Sequence, residues 1–340
     1  MEQEIHFCKT NDNVRIAYAT VGSGPPFVKA ANWLNHLEAD WKSPIWRHLL
    51  DEFSSDRMLV RYDERGNGLS DRKVDDISQE AFVNDLEAVI DATNIDNFPL
   101  LGISQGGAVA IEYAVRHPEK VSHLILFGAF SRGWRRMNLP PHVAAKRETQ
   151  LALIRSGWAN QNAATRQFFT TLVIPDGAPD ETASFNQMQQ LCTSPENAAR
   201  LFEAFGNIDV VDLLPQVKAP TIVFHCRHDA VINFDDGRFI AAAIPGAKFV
   251  PLESNNHLLL SNEPSWHVFV DEVRRFIGPS TQASDRSTRA YQSKICPSCK
   301  KVYTDETMNF CLDDGSKLIM VTEGEATAGL ENEETRIINS

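Results

Sequence analysis

The residues whose types and spacing promise chemistry begin at Gly102-Ile103-Ser104-Gln105-Gly106-Gly107, between the apolar run FPLL and the helical segment AVAIEYAVRH. A serine on a tight strand-to-helix turn is pushed outward. Small residues must flank it, because a side chain at Gly102 or Gly106 would collide with the neighbouring strand or helix. The same turn sets the backbone N–H of Gln105 at a helix N-terminus, where negative charge developing on a substrate oxygen is favoured. A serine hydroxyl needs a base, and the base needs an orienting acid. Asp229 lies in CRHDAVINF, just after the apolar run PTIVFHC, and His257 lies in SNNHLLL, just after AKFVPL. The order Ser104, Asp229, His257, each beyond the C-terminal end of a strand, lets three side chains converge for acyl transfer. His228 adjoins the expected acid and cannot easily turn its ring back onto it while reaching Ser104, so His257 is the expected base. Glu253, Asp209 and Asp212 are fallback acids. Asp63 and Arg65 are expected to pair as a brace for their loop, and Glu112 with Arg116, at i and i+4, as a solvated helix contact.

A second constellation lies near the C-terminus. Cys296-Pro297-Ser298-Cys299 sets two thiolates where they can occupy adjacent vertices of a tetrahedron, and Cys311 supplies a third. A redox pair, or a site that has lost its metal, is the competing reading. Cys8, Cys192 and Cys226 are scattered among apolar neighbours and read as small buried hydrophobes of a reducing compartment.

The elements that must position these groups follow from patterning. Up to about Ile277, short β-rich runs alternate with segments of helical period, which predicts a mostly parallel sheet with helices on both faces. EIHFCKT and VRIAYAT, joined through Asn11-Asp12-Asn13, read as an antiparallel hairpin at one sheet edge. PFVKA, RMLVRYD, FPLLGIS, VSHLILFG, PTIVFHC and AKFVPL are the remaining strands. Ser78 caps a helix in which Phe82, Leu86, Val89 and Ile90 form one apolar face. Between about residues 131 and 215 the strand pattern stops, and a helical cap is expected. Most of its large side chains (among them Trp134, Trp158, Phe168, Phe169, Phe185, Met188, Phe202 and Phe205) would hold its own core, with a minority lining a pocket. The expected organisation is a catalytic domain over 1–278, a linker over 279–292, a small module over 293–320 and an acidic, disordered tail over 321–340.

Composition narrows the function. The 340 residues carry 33 Lys+Arg against 45 Asp+Glu, a formal net charge of −12, without a long basic run. Nucleic acid is therefore not an expected partner. The first twenty residues lack the basic and apolar regions of a signal peptide, and no stretch reaches the length of a membrane span, so the expected location is the cytoplasm with no membrane partner.

Residues 1 to about 277 resemble the α/β-hydrolase fold superfamily. Tyr62-Asp63-Glu64-Arg65-Gly66-Asn67-Gly68-Leu69-Ser70 is similar to its Y-D-x-R-G-x-G-x-S loop. His117-Pro118-Glu119-Lys120-Val121 resembles the turn after the nucleophile helix, and Gly22-Ser23-Gly24-Pro25-Pro26 the turn before the third strand. The resemblance implies a serine hydrolase cleaving a small-molecule carboxylic ester or lactone through an acyl-enzyme, with no cofactor for catalysis. Relatives that open carbon–halogen bonds or epoxides carry a carboxylate where Ser104 stands. By position, the backbone N–H of Trp33 would be the second oxyanion donor beside Gln105. Where the family has His-Gly, this chain has Ala31-Asn32, which restricts the loop and implies a differently shaped hole. A signalling protein that binds a small ligand with little turnover is the alternative, and a carbon–carbon hydrolase or perhydrolase would use the same residues. The C-terminal segment resembles a small bacterial zinc ribbon whose second knuckle is C-x-x-D-G, so Asp314 would be the fourth ligand of a structural zinc. So small a segment has almost no core and should be unfolded without metal; its expected role is to engage a protein partner, through the ribbon or the tail.

Overall fold

The structure is a computed structural model and describes residues 2–158, 163–279, 293–303, 311 and 314–321. The chain divides into two compact units, Met1–Ser280 and Thr281–Ser340. In the first unit the apolar runs become β1 (Glu4–Lys9), β2 (Arg15–Val21), β3 (Pro26–Lys29), β4 (Met58–Tyr62), β5 (Phe98–Ile103), β6 (Val121–Phe127), β7 (Thr221–Cys226) and β8 (Lys248–Leu252). They form one sheet in the order β1-β2-β4-β3-β5-β6-β7-β8. β1 pairs antiparallel with β2 and β2 with β4, and the remaining pairings are parallel. This is the mostly parallel α/β sheet that the sequence predicts, with the hairpin at its edge.

The helices of this unit are α1 (Leu37–Lys42), α2 (Arg47–Ser54), α3 (Gln79–Thr93), α4 (Gly106–Arg116), α5 (Pro141–Gly157), α6 (Ala163–Val173), α7 (Pro179–Cys192), α8 (Pro195–Asn207), α9 (Phe234–Ala243) and α10 (Pro264–Ile277). Local chemistry sets their starts. The Ser78 hydroxyl accepts the Ala81 N–H at 3.2 Å to cap α3, and proline occupies the first turn of α5, α7, α8 and α10. Side chains alternate across the central strands, so Val28, Leu100 and Val223 join α3, α4 and α9 in one core. Phe27, Leu101, Ile222 and Phe224 join α2 and α10 in the other. Both faces being covered, β5 and β7 are buried along their whole length.

Helices α5 to α8 fill the interval between β6 and β7. Trp158, Phe169, Phe185 and Met188 are buried among them, while Phe168 stays exposed. No described helix is long and apolar enough to cross a membrane.

One expected pairing is corrected. Arg65 does not brace Asp63; its fully buried guanidinium lies 2.8 Å from Asp85 on α3 and 2.7 Å from Asp12 in the hairpin turn. Asp63 instead accepts the backbone N–H groups of Leu37 at 3.2 Å and Leu69 at 2.8 Å. Residues two apart would share a face on a strand, but the chain leaves β4 after Tyr62 and turns at Arg65, while α3 and the hairpin turn are brought to Arg65 by packing. Glu112 and Arg116 do pair, with Glu80 joining them.

In the second unit β9 (Ser293–Ile295), β10 (Val302–Tyr303) and β11 (Ile319–Val321) form a small antiparallel sheet in the order β10-β9-β11. Its buried cluster is Cys296, Cys311 and Leu318. Apart from Pro279 and Val321, the expected linker and acidic tail lie outside the described residues.

Candidate active site

Every group expected to do chemistry in the first unit sits past the C-terminal end of a strand: Trp33 beyond β3, Ser104 beyond β5, Asp229 beyond β7 and His257 beyond β8. The turn between β5 and α4 holds Ser104 at φ +53°, a left-handed conformation that a β-substituted residue adopts only when its surroundings impose it. The imposing contacts are the Ser104 N–H donating to Phe127 O at 2.9 Å and the Gly107 N–H donating to Ser104 O at 3.0 Å. The flanking glycines are required by close approach. A Cβ at Gly106 would lie 2.3 Å from the Ala31 carbonyl oxygen, and one at Gly102 would lie 2.7 Å from the Gly106 carbonyl oxygen.

His257 is buried, and its Nδ1 lies 2.6 Å from Asp229 Oδ2. The other carboxylate oxygen of Asp229 accepts the backbone N–H groups of Val231 at 2.8 Å and Ile232 at 3.1 Å. Burial by itself would raise the Asp229 pKa, but the His257 ring and these N–H donors more than offset it and hold the carboxyl below the usual range. An ionised Asp229 takes its proton donor from Nδ1, which leaves Nε2 of His257 as the free basic nitrogen. Among the described residues no hydrogen bond joins Ser104 Oγ to His257, whose side chain bonds Asp229. The fallback acids are committed elsewhere or exposed: Glu253 pairs with Arg227, Asp209 with Arg132, and Asp212 faces solvent. His228 is exposed as well.

The loop carrying His257 is tied to the helices between β6 and β7. The His257 N–H donates to Val173 O at 2.8 Å, Asn256 Oδ1 accepts the Asp176 N–H at 3.0 Å, and Asn255 Nδ2 donates to Asp176 Oδ2 at 2.8 Å.

The two backbone N–H groups expected as oxyanion donors, of Trp33 and Gln105, lie beside a buried hydrogen-bond chain. The Trp33 N–H is engaged: it donates to Gln105 Oε1 at 3.0 Å. Gln105 Nε2 in turn donates to Glu64 Oε2 at 2.9 Å, and Asn67 Nδ2 donates to Glu64 Oε1 at 3.0 Å. Glu64 is buried, and burial pushes its carboxyl up to about 8 despite the Gln105 contact. The Gln105 N–H remains at the start of α4, where the first helical turn has no carbonyl to receive it. The substitution of Ala31-Asn32 for His-Gly also finds a partner. Lys29, buried on β3, donates to Asn32 Oδ1 at 2.5 Å and to Ala30 O at 3.3 Å, with its ammonium 4.9 Å from the Trp46 ring. Burial pushes that ammonium down to about 8. Asn32 thus satisfies a buried cation that a glycine could not.

Sequence reasoning missed Glu64, Lys29 and His225. His225 is fully buried, 3.6 Å from Asp229 Oδ2, and its Nδ1 has no partner. Burial lowers its pKa and keeps it neutral beside the acid. A lysine and a histidine inside apolar strands were the available signals.

Ser104 and Asp229 line a cavity of about 460 Å³ whose apolar wall includes Trp33, Trp134, Phe202 and Phe205. That volume suits a small organic molecule.

In the second unit the ligating atoms of Cys296, Cys299, Cys311 and Asp314 all lie within 4.8 Å of one another. Cys299 Sγ and Cys311 Sγ are 3.5 Å apart, close to the edge of about 3.8 Å that Zn–S bonds of about 2.3 Å give a tetrahedron. The two knuckles share one backbone pattern. The Cys296 N–H donates to Lys301 O at 3.0 Å and its carbonyl accepts the Lys300 N–H; the Cys311 N–H donates to Ser316 O at 2.8 Å and its carbonyl accepts the Gly315 N–H. Lys300 and Gly315, at equivalent positions, both have positive φ. Asp314 therefore stands where Cys299 stands in the first knuckle, and the donor set fits a tetrahedral cation.

Residues 39–264 match the model of the alpha/beta hydrolase fold family. The chain is 26% identical over 258 residues to pyrrolizixenacetamide deacetylase of Xenorhabdus hominickii, covering 74% of this chain and 91% of that one. It is 25% identical over 247 residues to 3-oxoadipate enol-lactonase 2 of Acinetobacter baylyi, covering 73% and 88%. Among solved structures, an esterase from Exiguobacterium antarcticum superposes with a TM-score of 0.68 at 20% identity, covering 80% of this chain and 98% of that one.

Proposed function

The chain belongs to the alpha/beta hydrolase fold family, and from that premise we propose that it is a serine hydrolase of carboxylic esters or lactones, with Ser104, His257 and Asp229 as its triad. The observation that carries this reading is that Ser104 stands strained on the turn before α4 and shares a cavity with Asp229, which grips His257 at 2.6 Å. His257 Nε2 takes the Ser104 proton as Oγ bonds to the substrate carbonyl carbon. The carbonyl π electrons move onto oxygen, which the Gln105 N–H receives, joined by the Trp33 N–H once Gln105 Oε1 gives it up. Collapse expels the alcohol, which takes the proton from His257, and a water deprotonated by the same nitrogen then releases the acid. The named activities of the relatives, a deacetylase and an enol-lactonase, support this class.

Helices α5 to α8 serve as the cap in this reading, supported by Val143 of α5 and by Phe202 and Phe205 of α8 in the cavity wall. The free thiols buried at Cys192 and Cys226 support a reducing, cytoplasmic setting. Cys296, Cys299, Cys311 and Asp314 would hold a structural zinc, whose chemistry is to cross-link the two knuckles, and the module would engage a protein partner without joining the ester chemistry.

Initial rates on p-nitrophenyl esters of increasing acyl length test the reading. Turnover by the wild type and a loss of roughly 10⁴-fold or more in Ser104→Ala are expected. A folded wild type as inert as Ser104→Ala overturns it. The second reading, a ligand sensor with little turnover, is favoured by the engaged Trp33 N–H.

A further inference from the structure

Three arginines line the cavity that holds Ser104: Arg132, Arg147 and Arg227. Two of them are neutralised, Arg132 by Asp209 at 3.2 Å and Arg227 by Glu253. Arg147, on α5, is different. Its guanidinium donates to Gln150 Oε1 at 3.0 Å and to Val231 O at 3.1 Å, both neutral acceptors. Among the described residues no carboxylate lies within ion-pair distance of it. Two acids share the cavity wall. Asp229 is committed to His257, and Asp236 attracts Arg147 through space without an ion pair to it. A half-buried cation that has lost hydration and has two carboxylates near it but none in ion-pair contact is under-compensated, and two of its five N–H donors are used. The open side of such a group is where a ligand anion gains most, because a planar guanidinium matches a carboxylate.

We propose that the pocket takes esters or lactones bearing a carboxylate away from the scissile bond, with Arg147 as the counter-ion of that carboxylate. The inference rests on the hydrolase reading given above and adds the substrate's charge to it. Arg147 also ties α5 to the loop carrying Asp229 through Val231 O, a structural role that is indifferent to substrate charge.

The test compares kcat/KM for mono-p-nitrophenyl succinate and p-nitrophenyl butyrate, whose acyl groups are alike in length and differ by one terminal carboxylate. The wild type should favour the succinate by about tenfold or more, the preference shrinking as salt rises. Arg147→Gln should bring the ratio to about one, Arg147→Lys should restore part of it, and Asp236→Asn should increase it by removing the opposing charge. A wild type that hydrolyses butyrate but gives a ratio of one or less overturns this inference and leaves the hydrolase reading intact. A preference that survives Arg147→Gln overturns the assignment to Arg147. Because the wild-type ratio and its salt dependence need no variant, misfolding of a mutant does not shield the proposal. Silence of the wild type on both esters removes both readings together.

Discussion

The backbone N–H of Trp33 donates to the side-chain oxygen of Gln105 at 3.0 Å, so one expected oxyanion donor is held by the residue that supplies the other. Leucine has Gln105's bulk without its acceptor. Gln105→Leu should free the Trp33 N–H and raise kcat on neutral p-nitrophenyl esters by roughly tenfold, since one such donor is worth about 10²–10³ when fully used. The same change strips Glu64 of its Gln105 donor and should cost about 1–3 kcal/mol in denaturant unfolding. Unchanged or reduced kcat would mean that substrate displaces Gln105 without help.

Asp229→Asn keeps the shape of the acid and removes its charge. His257 should then lose the tautomer that leaves Nε2 basic, and kcat should fall roughly 10³–10⁴-fold while circular dichroism stays native. A loss below tenfold would show that Asp229 does not orient the base.

Gly106→Ala places a methyl 2.3 Å from the Ala31 carbonyl oxygen, a backbone atom that can yield only by moving the β3 loop away from α4. A loss of roughly 3 kcal/mol in stability is expected, together with lost activity, because that loop carries Trp33. Equilibrium unfolding in urea measures it.

Burial raises several carboxyls of the first unit, among them Asp85 to about 6, Asp40 to about 7 and Glu64 to about 8. Between the unfolded values near 4 and these folded values the native state holds more protons, so stability should fall as pH rises from about 4 to 8. Glu64→Gln should flatten the upper part of that slope by on the order of a few kcal/mol. Chevron or equilibrium midpoints at pH 5.5 and 8.5 decide it; an identical slope in the variant would assign the effect to other groups.

For the second unit, purified protein should contain about one zinc per chain, and Cys296→Ser or Asp314→Ala should lose it. Ester hydrolysis should be unchanged in both. Metal content by mass spectrometry and p-nitrophenyl rates are the two readouts, and loss of hydrolysis on losing zinc would contradict a separate role.

The strands were legible because central parallel strands must be apolar on both faces, so PTIVFHC and FPLLGIS stand out from their surroundings. The order of Ser104, Asp229 and His257 was legible for a related reason, since each follows such a run. What sequence could not supply was the pairing of charges. Arg65 reaches Asp85 and Asp12 only because α3 and the hairpin turn pack beside it, which no local pattern encodes. Glu64 and Arg147 look like surface charges in the sequence, and only the fold reveals that the first is buried and the second half-buried, whereas Lys29 inside an apolar strand was a signal that went unread. Asp314 was singled out through the resemblance of C-x-x-D-G to a second knuckle, and the structure gathers its carboxylate with Cys296, Cys299 and Cys311 through a backbone pattern shared by Cys296 and Cys311.

The bonds from Val173 and Asp176 to the loop of His257 make the C-terminal end of α6 and that loop one mechanical assembly. A shift of the α6 end would be carried to the loop of His257 through the Val173 bond, and a shift of that loop to the helix. Grafting α6 alone from a relative would put these three bonds at risk, which makes α6 and the His257 loop a unit to be exchanged together.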